Sequence, residues 1–190
     1  TSTFSATGRS PGISADGQIV AFYGELTPAG AAALGIPAGP GIFAAISINQ
    51  QWTIHRVAGT GGDDPAGLLP DAPIGVNSVR MFVYLGLDAD GNKAVYTTRL
   101  SFFSVDPARL RFGPVAPPAQ LATTGWSLVL ASGLSLEVLA DVNIYDPLSE
   151  RGDVAFWVQT VHAEQAVVML PRGSGSDYRD PDHETYINAY

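Results

Sequence analysis

The sequence predicts an all-β protein of antiparallel strands, and three observations support this class. The chain contains 21 glycines and 14 prolines, which suit many short strands joined by turns. Residues 13–27 (ISADGQIVAFYGELT) and 145–160 (YDPLSERGDVAFWVQT) each pass from a polar turn with Asp and Gly into an apolar run containing Val-Ala-Phe. The composition, 46% hydrophobic and only 15% charged, indicates a folded chain. We therefore expect a single all-β domain over residues 1–172 and a polar C-terminal tail over residues 173–190.

The first third of the chain predicts a strand, a short helix and a hairpin. Residues 18–23 form an apolar strand that begins after Asp16 and Gly17, which are typical of a tight turn. Thr27 and Pro28 are suited to the start of a helix that Gly35 would end within two or three turns.

The hairpin is predicted from residues 42–48 and 52–57, which are joined by residues 49–51. A long loop rich in Gly, Pro and Asp then occupies residues 60–75. Such loops carry functional groups more often than the strands that support them.

The second half predicts further hairpins. Asp90, Gly91 and Asn92 separate two apolar runs and are a strong hairpin signal. Residues 111–125 are rich in proline and predict a polyproline segment that forms a connector or a wrapping arm. Two strands follow, and a last hairpin is expected to turn around residues 163–165.

Three glycines, Gly17, Gly91 and Gly152, each precede an apolar strand entry that reads VAF, AVY and VAF respectively. The stretch PGISADGQIVAFYGEL resembles the Asp-Gly strand motif of TolB-like and WD-type β-propeller repeats. The order ISADGQIVAFYGELT, GPGIFAAI, IHRVAG, VNIYDP and RGDVAFWVQT resembles a repeat region of large exported bacterial proteins. The resemblance implies a propeller-like arrangement, incomplete or irregular, in an extracellular or periplasmic protein. A β-sandwich is the alternative architecture.

Charge and composition limit the partners. The chain has 18 acidic and 10 basic side chains and a formal net charge of -8, which disfavours nucleic acid and anionic membranes. No apolar run approaches the roughly 20 residues of a membrane-spanning helix, so we expect no membrane insertion. The absence of cysteine excludes disulfides and thiolate metal sites.

The candidate ligand-binding residues lie in the long loop and among the tryptophans. Loop carboxylates can bind polar groups, and an exposed indole can stack on the apolar face of a sugar. Core packing is the alternative role of the tryptophans. The candidates are Asp63, Asp64, Asp71, Trp52, Trp126 and Trp157.

Two carboxylate groups are candidates for a metal site. Asp88, Asp90 and Asn92 offer oxygen atoms at alternate positions, as the opening of a calcium loop does. Asp177, Asp180 and Asp182 form a second acidic cluster in the tail. The sequence therefore predicts Ca²⁺ as the one cofactor to test, against the alternatives of a polar hairpin turn and a solvated tail.

These features predict a noncatalytic extracellular module that binds a ligand, a glycan or a protein partner, or associates with itself through strand edges. The first alternative is a secreted hydrolase acting on a polysaccharide or ester with carboxylates from Glu25, Glu137 and Glu150. The second alternative is a structural subunit of a surface layer or filament.

Overall fold

The computed structural model describes residues 2–103, 111–129, 135–170 and 188–189. Sixteen strands and one short helix make up the regular structure of these residues, and the strand pairs are antiparallel throughout. The predicted all-β class is confirmed. None of the described helical structure is long and apolar enough to span a bilayer.

The first sheet comes from the N-terminal part of the chain. Its strands are β1 (Phe4–Thr7), β2 (Gly12–Ile13), β3 (Ile19–Leu26), β4 (Gly39–Ile48) and β5 (Gln51–Ala58). They are ordered β1-β3-β4-β5, and β2 pairs with β3. The β4–β5 hairpin was predicted, and its two turn residues, Asn49 and Gln50, have φ of 50° and 65°. Such left-handed backbone matches the twist of paired strands.

The helix α1 (Pro28–Leu34) follows β3 and begins as predicted. The Thr27 side-chain oxygen accepts a hydrogen bond from the Gly30 N–H at 3.0 Å, and Pro28 occupies the first turn, where no N–H partner is needed. Gly35 ends the helix in the left-handed region with φ of 66°.

The second sheet occupies the middle of the chain. Its strands are β6 (Gly67–Leu68), β7 (Gly75–Val76), β8 (Met81–Leu87), β9 (Lys93–Phe103), β10 (Arg111–Pro114) and β11 (Ala119–Thr123). The order is β10-β9-β8-β6, with β7 on β8 and β11 on β9. The predicted polyproline connector is therefore wrong. The long strand β9 supplies backbone partners for both β10 and β11, and Pro114 falls on the last residue of β10.

The third sheet contains β12 (Ser127–Val129), β13 (Ser135–Asn143), β14 (Val154–Thr160), β15 (Gln165–Leu170) and β16 (Asn188–Ala189), in that order. The predicted final hairpin is β14 with β15. The rest of the predicted tail, residues 173–187 and 190, lies outside the described residues, as do residues 171 and 172.

The second sheet lies between the other two. On β8, Phe82 and Tyr84 belong to a hydrophobic cluster shared with the first sheet, whereas Val83 and Leu85 belong to a cluster shared with the third. Adjacent residues of a strand point to opposite faces, so the second sheet is buried on both sides. Within the described residues the three sheets form a stack and do not close into a ring.

The two ends of the stack differ. The outer face of the first sheet is covered, because Phe43 and Leu26 pack with Ala31 of α1 and with Phe4 of β1. The outer face of the third sheet carries exposed apolar side chains, among them Val167 and Met169.

Candidate functional site

Three five-residue corners precede β3, β9 and β14, one for each sheet. The corners are residues 14–18, 88–92 and 149–153. The fourth residue of each is a glycine with positive φ: 69° at Gly17, 81° at Gly91 and 93° at Gly152. Each glycine N–H donates to the carbonyl oxygen three residues earlier, at distances of 2.8, 3.0 and 2.9 Å. A side chain at these glycines would strain the turn.

The first side chain of each corner closes it by accepting the backbone N–H of a residue four or five positions later, where the corner meets the strand. The bonds run from Ile19 to Ser14 Oγ (3.0 Å), from Asn92 to Asp88 Oδ1 (2.8 Å) and from Asp153 to Ser149 Oγ (2.9 Å). Ser and Asp are suited to this bond because their short side chains reach the backbone nearby.

The first four residues of the strand after each corner contain a triplet whose residues face the same way in all three sheets. The triplets are residues 20–22, 94–96 and 154–156. The third residue of each triplet packs toward the preceding layer. Phe22 packs against the cluster on the outer face of the first sheet, Tyr96 lies in the cluster between the first and second sheets, and Phe156 lies in the cluster between the second and third sheets. The middle residue points the other way: Ala21 toward the second sheet, Val95 toward the third, and Ala155 outward.

Glu150 joins the three sheets at one point, which we call the Glu150 junction: Ala15, Asp16, Asn77, Ser78 and Glu150. The Oε1 atom of Glu150 accepts the Ala15 N–H at 3.2 Å, in the first corner, and Oε2 accepts the Ser78 N–H at 2.9 Å, between β7 and β8. Asn77, which is fully buried, donates from Nδ2 to the Ser149 carbonyl oxygen at 3.1 Å. The corner of the third sheet is thereby bonded to both other sheets.

The carboxylates of the Glu150 junction are held in the charged form. The hydrogen bond from the Ser78 N–H lowers the pKa of Glu150 below its ordinary value of 4.5, and this outweighs the opposing effects of burial and of the neighbouring Asp16 charge. The Ser14 hydroxyl and then the Gln18 N–H lower the pKa of Asp16, whose Oδ1 accepts from them at 2.6 and 3.0 Å. Both groups therefore act as hydrogen-bond acceptors and not as proton donors.

The predicted metal-binding oxygens of Asp88 belong to the second corner. Besides the Asn92 N–H, the carboxylate accepts the Asp90 N–H at 3.0 Å and the Thr123 hydroxyl at 2.9 Å. Burial raises the pKa of Asp88, but the bonds from Asn92, Thr123 and Asp90 together outweigh it and leave the pKa lowered.

Across the described part of the chain, no three His, Asp or Glu side chains are grouped closely enough to hold a metal ion. Asp177, Asp180 and Asp182 lie outside that part. Calcium binding stays a prediction.

The three acidic residues of the long loop make different contacts. Asp71 lies 3.9 Å from Arg9 in an exposed ion pair, and its carbonyl oxygen accepts the Ser10 hydroxyl at 3.0 Å. The Asp64 N–H donates to the Gly61 carbonyl oxygen at 3.2 Å, and Asp63 is exposed. The loop is thus tied to the N-terminal segment at Asp71 and presents Asp63 to solvent.

The three tryptophans lie in different places. Trp52 is 54% exposed at the start of β5 in the first sheet. Trp126 is 47% exposed just before β12, and Trp157 is partly buried on the outer face of the third sheet. Trp52 thus belongs to the first sheet, Trp126 and Trp157 belong to the third part of the fold, and the loop carboxylates lie between β5 and β8.

His55 is buried between β5 and β10. The Phe112 N–H donates to Nδ1 at 3.3 Å, so the ring hydrogen lies on Nε2, which donates to the Thr53 hydroxyl at 2.7 Å. Burial lowers the pKa of His55, and the ring is neutral. It packs edge-to-face on Phe112 with 5.0 Å between ring centroids, which is a core role.

Sequence reasoning named Glu150 as a possible catalytic residue and did not single out Asn77 or Ser78. The bonds that define the junction join residues 135 and 72 positions apart. A single sequence contains no local pattern that indicates hydrogen bonds between residues so far apart along the chain.

No protein-family model, no curated protein and no solved structure matches this chain. The resemblance to TolB-like and WD-type propeller repeats therefore rests on the short motifs alone and stays a prediction.

Proposed function

We propose that this chain is a noncatalytic, exported module for binding or assembly, built from three repeats of a corner followed by a strand. The observation that carries the proposal is the Glu150 junction. Its carboxylate is bonded to backbone N–H groups of two other sheets and serves to join the layers of the stack.

The hydrolase alternative needs a pair of carboxyl groups, one ionised and one that holds a proton. A glycosidase acid must hold a proton near neutral pH, which requires a raised pKa. The pKa of Glu150 is lowered. Glu25 lies in the first sheet, on the strand β3, and accepts the Tyr23 hydroxyl at 3.1 Å. Glu150 is therefore unsuited to the role of general acid, and both of its carboxylate oxygens already accept backbone N–H groups, which favours the module over the hydrolase.

The common bonding of the three corners and the common facing of the three triplets support the repeat. A unit that buries one face only when another unit stacks on it is typical of repeat proteins. The propeller-like arrangement, the extracellular or periplasmic location and a protein or glycan partner follow from the sequence resemblance and are parts of this proposal.

Two screens on the purified chain test the proposal. The first is a panel of chromogenic glycoside and ester substrates, on which we expect no turnover by the wild type or by Glu150→Gln. Turnover that Glu25→Gln or Glu150→Gln abolishes would establish the hydrolase instead.

The second screen is a glycan array. The variant combining Asp63→Asn, Asp64→Asn and Asp71→Asn is compared with Glu164→Gln, a change in the turn between β14 and β15. We expect a bound glycan whose signal the loop variant lowers at least tenfold and Glu164→Gln leaves unchanged. Equal binding by all three proteins would refute the loop as the ligand site.

A further inference from the structure

The outer side of β14 and β15 forms an apolar surface, which we call the open face. Its side chains lie in cross-strand pairs, Ala155 with Met169, Trp157 with Val167 and Gln159 with Gln165. Val167 is 47% and Met169 41% exposed. Neither strand contains a charged residue, although the chain carries a net charge of -8. Contiguous apolar surface of this kind marks interaction sites.

The corresponding positions of the first sheet are covered by another sheet. Ala155 and Trp157 follow the third corner as Ala21 and Tyr23 follow the first. Ala21 is fully buried and Tyr23 is 6% exposed, because the second sheet packs over them. The partner that fits the open face is therefore the apolar face of a β-sheet.

We propose that this partner is the open face of a second copy of the chain, so that two third sheets pack face to face in a closed dimer. This inference deepens the proposed assembly function and rests on it. Two copies with net charge of -8 repel each other, but β14 and β15 add no charged side chain to the contact. Asp141, which pairs in register with Gln159 at the margin of the open face, is held in an ion pair with Lys93. A surface that meets itself across a twofold axis is the commonest form of homodimer contact.

A head-to-tail arrangement is blocked at the other end of the stack. To receive the third sheet of a neighbour, the first sheet would need a free outer face. That face is occupied where α1 packs on it, since Leu26 and Phe43 are buried with Ala31, so the sheet of a neighbour could not lie flat against it. The geometry therefore favours a dimer that closes over a filament that grows.

The size of the open face sets the expected affinity. Strands rise about 3.3 Å per residue and lie about 4.8 Å apart, so seven residues of β14 with its neighbours cover on the order of 300 Å². This is less than half of the roughly 800 Å² that each partner buries in a standard interface. We therefore expect a weak, transient dimer.

Sedimentation equilibrium from micromolar to near-millimolar concentration tests the dimer. Val167→Lys places a charge on the open face, and Val115→Lys is the matched control, because Val115 is 58% exposed in the bend after β10. We expect the wild type and Val115→Lys to dimerise with constants within twofold of each other, and Val167→Lys to weaken association at least tenfold. Circular dichroism confirms that each variant is folded, and Met169→Gln replaces Val167→Lys if that variant does not fold.

Three results would overturn the proposal: a wild type that stays monomeric, equal weakening by both lysine variants, or growth into species larger than dimers. The wild type would also stay monomeric if residues 171–187 of the same copy occupied the open face, and this outcome likewise refutes the dimer. A monomer in this experiment leaves the glycan and substrate screens untouched, so it refutes the dimer alone. Turnover in the substrate screen refutes the noncatalytic module without bearing on sedimentation.

A second readout uses the absence of cysteine in the chain. A single Met169→Cys change carries one spin label per copy, so any measured pair distance is between copies. We expect a defined distance below about 40 Å, the length that two facing β14 strands allow. The same label at Val115→Cys serves as the control for random encounters. No dipolar signal at concentrations where the wild type dimerises would place the contact elsewhere and refute the face-to-face arrangement.

Discussion

Glu150→Gln removes the charge of the junction and keeps the shape of the side chain. The carboxylate accepts one N–H with each oxygen, from Ala15 and from Ser78. A glutamine accepts only one of them and turns its NH₂ group toward the other N–H. Hydrogen bonds to charged groups contribute about 1.5–3 kcal/mol when buried, but exposed ion contacts contribute about 0.2–1 kcal/mol. Since Glu150 is exposed, we expect the free energy of unfolding to fall by about 1 kcal/mol at pH 7.

Urea denaturation followed by circular dichroism measures this loss. With an m-value of about 2 kcal/mol/M, the midpoint moves down by about 0.5 M. The folded pKa of Glu150 is below its ordinary value of 4.5, so its stabilisation is fully present above pH 4.5 and is lost as the pH falls through the folded pKa. The difference between wild type and variant should therefore shrink from pH 6 to pH 3.

The control is Glu164→Gln, which makes the same change of charge at an exposed turn residue whose hydrogen bonds use its backbone groups. We expect its midpoint to stay within about 0.1 M of the wild type, as usual for surface changes. A Glu150→Gln midpoint equal to that of the wild type at pH 7, or a difference that is the same at pH 3 and pH 7, would refute the role assigned to Glu150.

Three further predictions concern Asn77, Gly12 and His55. Asn77→Ala leaves the Ser149 carbonyl oxygen without its partner, and the free energy of unfolding in urea should fall by about 2–3 kcal/mol; a loss below 0.5 kcal/mol would contradict this. Gly12→Ala would put a methyl group 2.0 Å from the Ile74 carbonyl oxygen, so thermal unfolding should show a midpoint lower by several degrees; an unchanged midpoint would show that β2 can move. Because burial lowers the folded pKa of His55 below 6.5, the unfolded chain binds the proton first and stability falls as the pH drops below 6.5. An NMR titration that placed the pKa of His55 above 6.5 would contradict the buried neutral ring.

The parts of the fold that the sequence predicted depend on neighbours along the chain. Thr27 and Gly35 bound the helix through bonds within a few residues. The turns at Gly17 and Gly91 depend likewise on a positive φ and a short side chain. Such signals are visible in one sequence because both partners of each bond lie in the same short stretch.

The parts that sequence reasoning missed depend on partners far along the chain. Residues 111–123 contain prolines that suggest an extended connector, yet β9 has eleven residues and provides a backbone edge on which β10 and β11 pair. The role of Glu150 likewise depends on Ala15 and Ser78, which only the stacking of three sheets brings near it. A carboxylate that holds backbone amides and one that donates a proton look alike until their partners are known.

Amide hydrogen exchange at Ala15 and Ser78 tests the central claim most directly, because these are the two N–H groups that Glu150 holds. The Gly91 N–H, which donates to the Asp88 carbonyl oxygen within the second corner, serves as the reference. We predict that Glu150→Gln speeds exchange at Ala15 and Ser78 at least threefold and leaves Gly91 unchanged. Unchanged exchange at Ala15 and Ser78, or an equal increase at all three amides, would contradict the claim that this carboxylate joins the three sheets.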